Sequence, residues 1–278
     1  MGSLDKPAPA EPDVFGSNAY APQEIAERVQ GVGVKKVRLP WLAQLILSVL
    51  GGAFIGMGAL FYVLIHADAS LGFAARQLVA ALAFCLGMLL VVVAGAELFT
   101  GNNLIVMARA QGAIGSGEVV RNWVIVFAGN LVGTAGLALL VWLSGHPDMN
   151  DGAIGRDYLR IAAAKAALPF MVALWRGILC NALVCLAIWM SYAGRSVTDK
   201  AVAIVFPIAA FVAAGFEHCI ANLYYFAMAL LLAPQASMPL LGGMLRNIVA
   251  VVIGNVIGGS VLVGLVYYLI YIRFSRRS

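Results

Sequence analysis

Six long apolar stretches run through the chain, at about 40–65, 77–108, 122–143, 168–190, 201–232 and 247–272, separated by polar connections. A helix needs roughly 20 apolar residues to cross a bilayer, so most of these fit one crossing. The second and fifth are too long for one simple helix, and polar residues interrupt each near its middle. The pattern predicts an all-α membrane protein with six spans, of which spans 2 and 5 are broken. Residues 1–22 are polar and proline-rich, with Asp5, Glu11 and Asp13, and lack the apolar core of a signal peptide. They read as a cytoplasmic tail. Residues 23–38 put Ile25, Ala26 and Val29 on one helix face ahead of Lys35, Lys36 and Arg38, which predicts a short helix lying at the membrane surface.

The two halves repeat. Arg121, Asn122, Gly129, Asn130 and Gly133 recur 125 residues later as Arg246, Asn247, Gly254, Asn255 and Gly258, and the same offset takes Gly52 to Gly177. Three spans per copy turn the second copy upside down, an arrangement used by transporters and channels with a pathway near the midplane. The expected units are a tail and amphipathic helix (1–38), a first three-span repeat (39–144), an external loop (145–166), a second, inverted repeat (167–273) and a short tail (274–278).

Composition agrees with a membrane class. Of 278 residues, 62% are hydrophobic and only 11% charged, against about a quarter charged in soluble proteins. The net charge of +5 does not indicate a nucleic-acid partner, because the basic residues fall between apolar spans. Arg28, Lys35, Lys36, Arg38, Arg109, Arg121, Arg195, Lys200, Arg273, Arg276 and Arg277 lie on one side; Arg76, Arg156, Arg160, Lys165 and Arg246 lie on the other. The richer side is expected in the cytoplasm, with both termini. Cys85, Cys180, Cys185 and Cys219 sit in apolar runs and read as small buried hydrophobes. Neither a disulfide, a metal nor a cofactor is expected.

The interrupted spans carry the chemistry. One reads Ala-Gly-Ala-Glu97-Leu98-Phe99-Thr100-Gly-Asn102-Asn103, the other Ala-Gly-Phe-Glu217-His218-Cys219-Ile-Ala-Asn222. An ionised carboxylate at bilayer depth is costly unless paired, so Glu97 and Glu217 must face protein or water. They are expected, with Asn102 and Asn222, to support the helix breaks, the glutamates tying up free backbone amides as caps do. His218 is the sole histidine inside a span; His66 and His146 fall in external loops. An imidazole in that position donates hydrogen bonds and changes charge near neutral pH.

The runs GAELFTGN, RGILCNALVCLAIWMSYAGRSVTDK and GFEHCIAN resemble the signatures of the formate/nitrite transporter family, with a resemblance extending over about 23–273. That resemblance implies an aquaporin-like protomer in a homopentamer, in a bacterial inner membrane, with one pathway per protomer. It implies that His218 is the central histidine, Thr100 its loop neighbour, Asn181 the polar residue of the fourth span and Lys165 a vestibule lysine. It places Phe84, Met88, Leu98, Phe99, Val184 and Phe211 at hydrophobic constrictions, Met88 standing where the formate branch resembles leucine. Gly101-Asn102 looks more like the nitrite branch, and SYAGRSVTDK and GFEHCIAN more like the formate branch. Formate therefore ranks first as substrate, before nitrite, hydrosulfide and short monocarboxylates. The expected mechanism is attraction of the anion by Lys165, protonation near His218 directly or by a water relay, and crossing as the neutral acid. A membrane-embedded enzyme built on Glu217 and His218 lacks a nucleophile motif or metal spacing. A glycerol-type pore would carry Asn-Pro-Ala triplets, which do not occur, and a scaffold would not need the buried ionisable groups.

Overall fold

The apolar stretches fold as long helices. The computed structural model describes residues 19–235 and 237–275, and the regular elements among these are helical. They are α1 (Pro22–Val37), α2 (Trp41–His66), α3 (Phe73–Leu89, prolonged by a π-helical turn at Leu90–Gly95), α4 (Val106–Ala110), α5 (Ser116–Leu143), α6 (Ala153–Ala166), α7 (Phe170–Ser191), α8 (Val197–Ala213), α9 (Cys219–Leu232) and α10 (Met238–Val256, continuing through wider π turns to Phe274). Among the described residues five helices are long and apolar enough to cross a membrane: Trp41–His66, Phe73–Gly95, Ser116–Leu143, Phe170–Ser191 and Met238–Phe274. The stretch at 201–232 divides into α8 and α9, of 17 and 14 residues.

Local signals explain the boundaries. Ser196 caps α8: its Oγ accepts from Asp199 N at 3.1 Å, and Asp199 Oδ2 accepts from Ser196 N at 2.9 Å, the reciprocal capping box. Helix α10 starts earlier than the apolar count suggested, at Met238, because Pro239 sits in its first turn, where no amide donor is needed.

The polarity of the fold is turned inside out. Leu140, Leu143, Phe206 and Leu245 are exposed, while Asn122, Asn130, Asn181, Asn222, Asn247 and Asn255 are fully buried. An exterior of this kind suits lipid, and the buried amides must find partners within the protein. The chain is accordingly a multi-pass membrane protein. Helix α1 packs on the protein. Ile25, Ala26 and Val29 pack against Leu104, Met107, Trp189 and Val263, so its apolar face covers protein. The tail at 1–18 lies outside the described residues.

Close helix contacts rest on glycine. A Cβ at Gly133 would strike Val49 O and Ala53 N, and one at Gly258 would strike Ile178 O and Ala182 N. Gly136, on the same helix as Gly133, has open space around it. Gly133→Val should lower the melting point in detergent by the equivalent of at least about 1–3 kcal/mol. Gly136→Ala should be neutral or stabilising by up to about 1 kcal/mol. Equal melting points for both variants would remove close packing as the reason for Gly133.

Candidate functional site

Two chain breaks build the site. After α3 the backbone turns through Gly95 at φ 88°, and after α8 through Gly215 at φ 70°, a left-handed conformation open to glycine at no steric cost. Each break leaves amides without helical partners. Asn130 on α5 meets the first: its Oδ1 accepts from Phe99 N at 2.9 Å, and its Nδ2 donates to Ser48 O and Glu97 O at 2.7 and 2.9 Å. Asn255 on α10 meets the second: Oδ1 accepts from Cys219 N at 3.0 Å, and Nδ2 donates to Gly177 O and Glu217 O at 2.8 and 3.0 Å. Gly177 O thus takes the place that Ser48 O holds in the other half. The geometric partner of Gly177 is Ser48 and not Gly52, because the connection from this helix to the break differs in length between the halves, 49 residues from Ser48 to Glu97 against 40 from Gly177 to Glu217.

The glutamates do something other than cap. Glu97 Oε1 accepts from Lys36 Nζ at 2.8 Å and its Oε2 from Asn102 Nδ2 at 2.6 Å; Lys36 also donates to Asn102 Oδ1 at 2.8 Å. Glu217 Oε1 accepts from Lys165 Nζ at 2.9 Å and its Oε2 from Asn222 Nδ2 at 2.7 Å. Asn122 Oδ1 and Asn247 Oδ1 receive the second proton of each amide, at 3.0 and 2.8 Å. The expectation that the carboxylates tie up backbone amides is corrected: asparagines from neighbouring helices supply the acceptors, and each buried carboxylate is directed to a lysine. A neutral amide suffices to cap a neutral N–H, whereas a buried anion needs a cation. Lys36 was read only as part of a basic surface cluster. The shared five-residue spacing of Glu97–Asn102 and Glu217–Asn222 was the available signal, but nothing local links Glu97 to a lysine 61 positions away.

At the second break His218 begins α9. Its Nδ1 accepts from Ala221 N at 3.2 Å, and its Nε2 lies 3.0 Å from Thr100 Oγ1. With Nδ1 fixed as acceptor, the neutral ring carries its proton on Nε2 and donates to Thr100. The two breaks therefore touch through one side-chain hydrogen bond. Asn181 is turned elsewhere: its Nδ2 reaches Asn255 O at 2.6 Å, Asn103 Oδ1 at 2.9 Å and Thr100 O at 3.3 Å. Its donors are spent on the framework of the two breaks.

Two cavities approach this junction. A large one of about 500 Å³ lies beside α1 and is lined by Lys36, Met88, Glu97, Leu98, Asn102, Tyr192 and Lys200. A small one of about 80 Å³ lies beside α6 and is lined by Tyr62, Phe84, Lys165, Phe211, Glu217, His218 and Tyr225. Phe84 and Phe211 meet edge to face at 5.9 Å, and Phe211 stacks on His218 at 6.0 Å. Of the six apolar residues expected at constrictions, Phe84 and Phe211 line the small cavity, and Met88 and Leu98 the large one. Phe99 packs against Trp123 and Phe127 of α5, and it and the buried Val184 line neither.

At the end of α2, His66 Nδ1 lies 2.7 Å from Asp157 Oδ2 of α6, and Arg160 bonds the other carboxylate oxygen. Burial alone would raise the Asp157 carboxyl. The hydrogen bonds and charges of His66 and Arg160 outweigh it and hold the group below the ordinary carboxylate range.

The sequence model described as "Formate/nitrite transporter" matches residues 23–269. The chain belongs to the formate/nitrite transporter family. It is 39% identical over 269 residues to the formate channel FocA of Escherichia coli K12, covering 91% of this chain and 94% of that one. It is 37% identical over 265 residues to formate channel FocB of the same organism, covering 90% and 93%. Among solved structures it resembles a pentameric formate channel with formate bound, at TM-score 0.77 and 35% identity over 83% of this chain and 97% of the other. An FNT family ion channel gives TM-score 0.80 and 31% identity over 88% and 98%.

Two expectations follow from these contacts. Lys165→Met or Glu217→Gln alone strands a buried charge or an unpaired partner and should cost about 3–5 kcal/mol, while the double variant should lose much less than the two singles together. Additive losses in detergent melts would show the pair uncoupled. Because the folded Asp157 carboxyl is depressed, its stabilisation is complete above the unfolded value of about 3.9 and is lost as pH falls through the lower folded value. Asp157→Asn should therefore melt lower than wild type at pH 7 and lose less on acidification to pH 3; parallel melting curves against pH would contradict this.

Proposed function

We propose that the protein is a homopentameric transporter of small monovalent anions, formate first, with one pathway in each protomer. The observation that carries this reading is His218, held between Thr100 and Phe211 at the inner end of a narrow aromatic cavity. The relatives named as formate channels, and the pentameric neighbour with formate bound, support both the substrate and the assembly. The reading includes six crossings: the five long helices, and a sixth made of α8 and α9 together. The matched contacts of Asn130 with Asn255, and of Lys36–Glu97 with Lys165–Glu217, support two inverted repeats with the breaks in spans 2 and 5. The basic residues put the α1 side in the cytoplasm of a bacterial cell, with both termini. Transport, without an enzymatic reaction, is the activity proposed. Nitrite remains the second substrate reading, favoured by Gly101-Asn102 after the threonine.

Desolvation decides the form in which the substrate crosses. Moving a carboxylate-sized ion into low dielectric costs of order 20 kcal/mol in the idealised limit, and walls of Phe84, Phe211, Met88 and Leu98 offer little in return. The neutral acid escapes most of that cost. In this reading Nε2–H of His218 and the Thr100 hydroxyl hold the substrate as it takes up a proton. Direct donation by His218 needs a doubly protonated ring, whose Nδ1–H would displace the Ala221 amide. The geometry thus favours a water relay beside a neutral histidine.

Formate influx into proteoliposomes should exceed that of acetate and lactate and rise as pH falls. His218→Asn should flatten the pH profile, and Thr100→Val should lower flux by roughly tenfold, the worth of about one hydrogen bond. Wild-type rate with an unchanged pH profile in His218→Asn would remove the histidine from the mechanism. Glycerol permeation faster than formate would overturn the anion reading itself.

A further inference from the structure

The walls of the two cavities differ in charge. Beside α6 the charged residues are Lys165 and Glu217, joined at 2.9 Å, so the lining is balanced. Arg176 contributes its carbonyl to Glu217 N and does not line that cavity. Beside α1 the lining holds Lys36 and Glu97, joined at 2.8 Å, and in addition Lys200. Lys200 is half-buried in the first turn of α8 and forms no ion pair or side-chain hydrogen bond among the described residues. The adjacent carboxylate of Asp199 is taken up by the amides of Arg195 and Ser196 at 3.0 and 2.9 Å. Among the described residues that line the two cavities, the larger therefore carries one positive charge in excess and the smaller none.

We propose that Lys200 is the anion-recruiting residue of the α1-side mouth, and that the two mouths capture anions unequally. The proposal rests on the transport reading and deepens it. Lys36 and Lys165 are poor recruiters because each is tied to a carboxylate, and an approaching anion meets the field of a neutral pair. Lys200 presents a net charge inside a concave, low-dielectric wall, where field lines are focused and the local concentration of an oppositely charged solute rises. Phe211 lies eleven residues further along α8, about 16 Å at the helical rise. Lys200 does not line the small cavity, and its charge acts at the α1-side mouth. Lys200 acts on occupancy of the mouth and not on passage through the aromatic layers, so it lowers half-saturation and maximal rate from that side by the same factor and leaves flux at low formate unchanged.

The test compares formate influx into inside-out and right-side-out membrane vesicles, at low and high salt. Wild type should half-saturate at lower formate from the α1 side, and added salt should erase most of that advantage. Lys200→Gln should raise half-saturation and maximal rate from that side together, each by about three- to tenfold, abolish the salt dependence of half-saturation and leave influx from the α6 side unchanged. Lys200→Arg should behave as wild type. Unchanged half-saturation in Lys200→Gln, or an equal loss of influx from both sides, would overturn the assignment while leaving formate transport standing. Failure of wild type to pass formate in either vesicle would overturn the transport reading and this assignment with it.

Discussion

Interrupting a helix inside an apolar protein exposes backbone amides that nothing in the surroundings can hydrate, and the structure is arranged around meeting that demand twice. Asn130 and Asn255 do it from neighbouring helices, each accepting one amide and donating to two carbonyls. A side chain with both acceptor and donors on one rigid plane is suited to this, since it satisfies the cut end and fastens it to α2 or α7 in a single contact. Unpaired, such groups would each cost about 1–3 kcal/mol. The close glycine contacts of Gly133 and Gly258 bring the asparagine-bearing helices near enough to reach.

The Lys–Glu–Asn clusters solve a different problem. A glutamate at Gly-x-Glu lies two residues after the left-handed glycine and so is carried into the interior by the turn itself. Its burial is tolerable because a lysine arrives from outside the broken helix, Lys36 from α1 and Lys165 from α6. The pairs are neutral as units. They therefore hold α1 and α6 against the breaks without giving either cavity a net charge. What distinguishes the two cavities is set elsewhere, by whichever additional residue lines them.

Much of this was legible from residues alone, for identifiable reasons. The long apolar helices follow from hydropathy, which is a local property, and the glycine–glutamate runs announce irregular backbone because both residue types are out of place in an apolar helix. His218 stood out on the same ground. The repeat was visible in Asn122–Asn130 and Asn247–Asn255, yet their task was not, since spacing reveals symmetry but not which backbone atom a side chain reaches. Lys36 was hidden because an amphipathic helix with basic residues at its end reads as a membrane-surface element. Only packing shows that its apolar face covers the protein and delivers one lysine inward. Phe99 was assigned to a constriction by resemblance, and its ring turns to α5 because Trp123 and Phe127 offer an aromatic site there.

The tautomer of His218 ties framework to function. Because α9 begins at this residue, its Nδ1 is committed to the Ala221 amide, as a serine or aspartate would be at a helix start. The ring thereby loses the freedom to accept a proton there without unfastening the helix, and its remaining N–H points across the junction to Thr100 of the other break. A residue able to titrate is thus held in one hydrogen-bonding state by the same backbone break that places it beside the small cavity. In the proposed mechanism this makes the histidine a fixed donor beside which a substrate can change charge. The proton for that change has to come through water in the cavities, and their unequal size and charge bear on the side from which it is supplied.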